Sequence, residues 1–353
     1  MKPTDSLPLE EYAEFAAEAA RRAGEIVLRF FEIIRKNQGG PFLRQGGHAQ
    51  RAGPPLQDEG GYPPEGRRAG AGPPLQVEYK ADHSPVTTAD RESERLLRKL
   101  LEERYPEHGI LGEEYGLTRG EAPLRWYLDP IDGTYSFVRG VPLFGVMVGL
   151  AVRDNAPQKQ VSRPPERPKD DTAEGSFDAL VGVVHLPALG ETVVAWRGGG
   201  CWWSRGVGSV RAQASPAATP GAASSAPTKA GFGVRAQVSA TARLEDALLL
   251  STDPLDLVRS PKQQAYERLR ARVRLQRGWG DCYGHVLVAT GRADIMLDAA
   301  LHDWDAAPLI PILEEAGGRF TDWRGRRTIS GGDGFATNGA LYEQVLQIIR
   351  EKK

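Results

Sequence analysis

Cysteine is nearly missing from the chain: among 353 residues only Cys201 and Cys282 occur. Two cysteines so far apart make neither a disulfide framework nor the paired spacing of a zinc site, which points to a reducing compartment. A charge excess of either sign is missing too, with 45 Lys and Arg against 46 Asp and Glu. That balance removes the electrostatic footing for a nucleic-acid or membrane partner. No apolar run approaches the ~18–20 residues that span a bilayer, and "MKPTDSLPLEEYAEF" lacks the continuous apolar stretch of a secretion signal. A cytoplasmic location is therefore expected. What the chain does have is 40% hydrophobic residues, enough for one large core or two smaller ones.

Patterned sequence alternates with stretches that cannot build a core. Residues 10–35 carry apolar side chains at helical spacing (Phe15, Ala19, Ala23, Ile26, Phe30, Ile34) and predict one amphipathic helix. Residues 38–76 are crowded with Gly, Pro, Gln and Arg, and "AGPPLQ" occurs there at 52–57 and again at 71–76. With about 154–176 and about 212–230, this stretch reads as a flexible surface insertion too poor in apolar residues to offset its ordering entropy. Between the insertions, a helix is expected at 90–104 with Asp90 as N-cap, and strands at 108–112, 124–129 and 143–152. A hairpin follows from "DALVGVVHL" and "ETVVAWR". Residues 284–298 end in a buried strand, "AAPLIPILEEAGG" is a helix closed by Gly317 and Gly318, and a last helix covers 340–351. Hairpins mixed with helices predict an α+β layered fold rather than a regular βαβ dinucleotide-binding domain. The expected division is an N-terminal half, 1–180, and a C-terminal half, 181–353.

Chemistry concentrates in "RWYLDPIDGTYSF" (125–137), which sets Asp129 and Asp132 three apart across a proline. Pro130 has no N–H to continue a ladder, so the strand is expected to end at Asp129. Gly133 allows unusual backbone angles, and Thr134 can open a helix whose free N–H groups attract an anion such as phosphate. Adjacent carboxylates raise each other's pKa unless a cation lies between them, and hard Mg²⁺ suits oxygen ligands with a phosphate. Alone, this pattern is also ordinary turn chemistry. Other acidic residues stand at similar places: Glu113 and Glu114 after "HGILG", Asp90 after "SPVTTA", and Asp305 in "HDWDAAPLIP". Singly, Asp90 and Asp305 read as helix caps and Glu113 as a turn residue; together they form a candidate ligand set.

The ordered elements "GEE" (112–114), "DPIDGT" (129–134) and "WDAA" (304–307) resemble the inositol monophosphatase-like family of magnesium-dependent phosphatases. "DPIDGTYSFVRGVPLFG" (129–145), "RGGGCWW" (197–203), "WGDCYGHVLVATGRAD" (279–294) and "LIPILEEAGG" (309–318) are most similar to its histidinol-phosphate phosphatase branch, as is Ser136 where inositol phosphatases commonly carry Asn. The resemblance implies a layered αβαβα sandwich, a small phosphate monoester as substrate, two to three Mg²⁺ ions and a homodimer. By the same resemblance, Glu113, Asp129 and the carbonyl of Ile131 hold one ion, Asp129, Asp132 and Asp305 hold another, and Glu113 with Asp90 supports a third. Asp90 and Thr134 orient and deprotonate the attacking water, and the amides of Gly133 and Thr134 receive the phosphate.

Histidinol phosphate carries an ammonium and an imidazole, so its pocket needs carboxylates beyond the ion ligands. Asp298, seven residues before Asp305, and Asp281 in "WGDCYG" are the candidates beside Asp132 and Asp305, although Asp281 reads equally as a turn residue. Trp279 and Tyr283 are placed to stack on an imidazole or to pack on the core. Inositol, nucleotide or sugar phosphates are the alternative substrates, and a non-catalytic phosphate-binding protein the alternative class. Pro308 reads as a first-turn proline, Pro311 as a lost hydrogen bond or a later helix start, His302 as structural, and Lys80 as a solvated strand residue.

Overall fold

The structure, a computed structural model, describes residues 7–37, 77–79, 85–154, 176–206, 228–229 and 231–351. The expected insertions at about 38–76, 154–176 and 212–230 lie outside the described residues apart from Asp154, Ser176 and Thr228–Lys229, and so does Lys80. Among the described residues no helix is long and apolar enough to cross a membrane.

The chain opens with α1 (Leu9–Asn37), followed by a short antiparallel pair, β1 (Val77–Tyr79) and β2 (Pro85–Thr87), and by α2 (Thr88–Arg104). The cap of α2 is Thr87, not Asp90: the Thr87 hydroxyl accepts the amides of Ala89 and Asp90, and the Asp90 carboxylate reaches back to the Thr87 amide. This reciprocal box frees Asp90 from the cap position and aims it inward from the first turn.

Next come β3 (Gly109–Gly112), β4 (Gly116–Thr118), β5 (Leu124–Asp132), α3 (Thr134–Val138) and β6 (Gly145–Arg153). They are followed by β7 (Phe177–Leu186), β8 (Glu191–Trp196), β9 (Gly200–Arg205), β10 (Thr228–Lys229) and β11 (Gly233–Arg235). These nine strands form one sheet in the order β10-β11-β9-β8-β7-β6-β5-β3-β4, antiparallel except where β3 runs parallel to β5. Strand β5 does not stop at Pro130. Its register with β6 shifts between Asp129 and Asp132, so the proline sits in an irregularity where its missing N–H breaks no ladder bond.

A second sheet is assembled from β12 (Leu248–Ser251), β13 (Leu275–Arg277), β14 (Ile295–Asp298), β15 (Gly318–Thr321) and β16 (Gly334–Asn338), in the order β13-β12-β14-β16-β15. Helices α4 (Pro254–Arg259), α5 (Gln263–Arg270), α6 (Asp281–Ala289), α7 (Asp303–Glu315) and α8 (Tyr342–Arg350) alternate with these strands. The sheets change over between Arg235 and Leu248, so a division at 180/181 would cut through β7.

The layers are the expected αβαβα. Strand periodicity explains how both sheets are covered twice. Trp126 and Leu128 of β5 point into the core under α1 and α2, while Tyr127 between them points into the core around α6 and α7. Met296 of β14 joins that central core, and its neighbours Ile295 and Leu297 face the outer core under α4, α5 and α8.

Helix α7 begins at Asp303, which puts Pro308 beyond its first turn, and it continues through both Pro308 and Pro311. It packs where the nine-stranded sheet has no side chain. A Cβ on Gly182 would lie 2.0 Å from the Pro308 carbonyl oxygen, and one on Gly149 would lie 2.9 Å from the Pro308 nitrogen.

Candidate active site

Parallel pairing of β3 with β5 ends both strands at one edge of the sheet, with Gly112 opposite Leu128 and the Glu113 amide bonded to the Leu128 carbonyl at 3.1 Å. Glu113 is thereby carried beside Asp129. The Asp129 carboxylate accepts the Ile131 amide at 2.9 Å, and the Thr134 hydroxyl donates to the Ile131 carbonyl at 2.9 Å. Gly133 turns the chain with φ 84° and caps α3, whose first-turn amides have no acceptor within the helix. Asp305 arrives from the first turn of α7, where its carboxylate accepts the His302 amide at 2.8 Å.

Carboxylate oxygens of Asp129, Asp132 and Asp305 lie within 4.8 Å of one another. Their titration records the crowding. Burial, then the charges of Glu113, Asp132 and Asp305, pushes the Asp129 carboxyl well above the usual range. Burial pushes Asp305 up to about 7, with Asp132 and Glu113 adding to the rise against the opposing His302 contact. Asp132 rises to about 6, chiefly through burial, which its bond to Cys282 partly offsets. Asp90 rises to about 7 through burial and the charges of Glu113 and Glu114, partly offset by its bond to Thr87. Such a nest is costly for protein alone and favourable around a hard divalent cation, whose charge reverses each of these shifts. Oxygen-only donors of this kind fit Mg²⁺.

Beside the nest is a cavity of about 180 Å³ lined by residues that include Asp132, Asp281, His285, Asp298 and Asp305. Asp281 opens α6 in the left-handed region, with φ 54°, and its amide donates to the Thr252 hydroxyl at 2.9 Å. Among the described residues its carboxylate makes no hydrogen bond or ion pair with a side chain, and burial together with Asp132, Asp298 and Asp305 raises its pKa well above the usual value. Asp298 differs. Its oxygens accept the Thr252 hydroxyl at 2.5 Å and the His285 Nε2–H at 2.7 Å, so it braces the cavity wall. Trp279 is 42% exposed and Tyr283 packs against the central core; neither lines the cavity. His302 stacks on Trp304 with ring centres 4.6 Å apart, the structural role expected of it.

Thr252, His285 and the Cys282 amide were not singled out by sequence reading. His285 left one trace, a titratable side chain one helical turn after Asp281 inside an apolar run.

Hard oxygen donors gathered at a sheet edge, against a helix start with open amides, are what a metal-dependent phosphatase needs to receive a phosphate ester. Sequence comparison agrees: residues 65–158 and 177–353 match the inositol monophosphatase family, and the chain belongs to that family. It is 36% identical over 276 residues to the histidinol-phosphatase of Chlorobaculum parvum, covering 78% of this chain and 87% of that protein. It is 30% identical over 278 residues to the histidinol-phosphatase of Streptomyces coelicolor, covering 79% and 88%. Among solved structures, an inositol monophosphatase from Zymomonas mobilis aligns with a TM-score of 0.64 at 25% identity, covering 98% of this chain and all of that one.

Proposed function

We propose that this chain is a Mg²⁺-dependent phosphomonoesterase that hydrolyses histidinol phosphate to histidinol and phosphate. The observation that carries the substrate choice is Asp281, a carboxylate facing the cavity that has no side-chain partner among the described residues and no place in the Asp129, Asp132 and Asp305 cluster. A cationic amine supplies the partner it lacks, whereas a neutral polyol does not. Similarity to two histidinol-phosphatases supports the same reading.

Asp129, Asp132 and Asp305 would hold one ion, and Glu113, Asp129 and the Ile131 carbonyl another, with Glu113 and Asp90 supporting a third. Once bound, the ions offset phosphate charge and lower the pKa of water. The first-turn amides at Gly133 and Thr134 receive phosphate oxygens. Asp90 accepts the proton of the attacking water. Its Oδ2 is held by the Thr87 amide at 2.8 Å and hydroxyl at 2.6 Å, which fixes the carboxylate in place at the start of α2. Thr134 orients that water through a hydroxyl anchored on Ile131, Glu113 shares the task from β3, and Asp281 holds the ammonium with Asp298 bracing behind it. Family membership supports association as a homodimer, and the two widely separated cysteines support a cytoplasmic location.

Turnover of histidinol phosphate and of myo-inositol 1-phosphate, each with Mg²⁺ and with chelator, tests the assignment. Higher kcat/KM for histidinol phosphate and loss of turnover in chelator are expected; a clear preference for the inositol ester would sink it.

A further inference from the structure

Behind the ion site lies a buried ion pair that the chemistry above does not use. Glu94 of α2 is fully buried, and its carboxylate points at the turn between β3 and β4. Oε2 accepts the Glu114 amide at 2.7 Å, while Oε1 accepts the Tyr115 amide at 3.3 Å and Arg98 Nε at 2.7 Å. Arg98 continues the clasp by donating to the Gly116 carbonyl and, at 3.5 Å, to the Thr118 hydroxyl. Contact is close enough to exclude a side chain at Gly112, where a Cβ would lie 2.0 Å from Glu94 Oε1.

We propose that Glu94 is a positioning residue for the ion site, fixing the β3–β4 turn so that Glu113 presents its carboxylate beside Asp129. Glu113 is pinned from both sides, through its own amide to Leu128 before the turn and through the next two amides to Glu94 after it. Stability alone does not account for this device, because a charged pair taken out of water recovers little more than its own desolvation cost. What a carboxylate adds is direction: two consecutive amides converging on one group fix the peptide plane that follows Glu113. Gly112 supplies the room for that approach. The inference rests on the reading of Glu113 as an ion ligand.

Isothermal titration of Mg²⁺ into substrate-free protein tests it on Glu94→Gln, with Glu113→Gln in parallel. Glu94→Gln is expected to weaken Mg²⁺ binding by about 10- to 100-fold, the usual effect of removing a group that orients a metal ligand. Its kcat at saturating Mg²⁺ returns close to that of the unsubstituted chain, a split that simple loss of stability does not produce. If Glu94→Gln strands the Arg98 guanidinium and fails to fold, Glu94→Gln with Arg98→Gln removes both charges and carries the same expectation. Mg²⁺ binding as tight as in the unsubstituted chain, while Glu113→Gln weakens it, overturns the positioning role alone. Unchanged binding in Glu113→Gln overturns the ion-ligand reading and the inference with it.

Discussion

The Asp132 carboxylate accepts a hydrogen bond from the backbone amide of Cys282, joining the end of β5 to the first turn of α6 across 150 residues of sequence. One side chain thus serves the carboxylate nest and also docks the helix that carries Asp281 and His285.

Asp132→Asn separates these two duties. The Asn carbonyl oxygen still accepts the Cys282 amide, so melting and circular dichroism should match the unsubstituted protein. The missing charge should lower Mg²⁺-dependent turnover by about 100-fold or more, beyond what loss of an outer partner of a metal ligand costs. Turnover within a few-fold of the unsubstituted chain would remove Asp132 from the ligand set.

Asp281→Ala should act on substrate choice. KM for histidinol phosphate is expected to rise about 10- to 100-fold, corresponding to the ~1.5–3 kcal/mol of a hydrogen bond between charged groups. KM for a neutral sugar phosphate should stay the same. Equal loss on both substrates would mean that Asp281 shapes the cavity without reading charge.

Acidity should separate the chelator-treated protein from the Mg²⁺-loaded one. The folded-state pKa values of Asp90 and Asp305, about 7, and of Asp132, about 6, stand above their ordinary 3.8. The metal-free fold therefore holds more protons than the unfolded chain across that window. Its stability from these groups is fully present below the unfolded value and is lost as pH rises through about 6 to 7. Mg²⁺ replaces those protons, so the rise in Tm on adding Mg²⁺ should grow between about pH 5 and about pH 7.5. Differential scanning calorimetry measures it, and a gap that stays constant or shrinks contradicts the carboxylate nest.

Gly182→Ala tests the docking of α7. Its Cβ would meet the Pro308 carbonyl oxygen at 2.0 Å and carbonyl carbon at 2.8 Å, backbone atoms that cannot swing aside. Overpacking of this kind costs about 1–3 kcal/mol. The urea midpoint should fall with an unchanged slope. An unchanged midpoint would mean that α7 is free to shift on the sheet.

Long periodic elements were legible before any coordinates. The apolar spacing of 10–35 became α1, and the apolar runs around Trp126 and Val148 became β5 and β6. Shorter elements of the second sheet escaped. "LLLS" and "LQR" are too brief for a period to show, and β15 and β16 pair only after the long separation between Thr321 and Gly334. Local rules misled at prolines and caps. "VTTAD" offers several capping side chains, and the reciprocal bonds between Thr87 and Asp90 select Thr87 as the cap. Pro130 and Pro308 looked like boundaries, yet a register shift absorbs one, and Gly149 and Gly182 on two adjacent strands make room for the other.

Asp129 and Asp132 owe their proximity to a local irregularity of three residues around Pro130, where the register of β5 with β6 shifts. A motif so local is legible in the amino-acid order alone, and with it the family resemblance and the phosphate chemistry that follows. Tertiary structure decided the rest. Parallel pairing of β3 with β5 brought Glu113 to the nest, α7 delivered Asp305, and Thr252 and His285, 46 and 13 residues from Asp298, took up both its oxygens. Among the described residues Asp281 was thereby left as a cavity carboxylate with no side-chain hydrogen bond. Hydrogen bonds between residues so far apart in sequence have no local period to announce them, because only the packing of two sheets around α6 and α7 brings their atoms within reach.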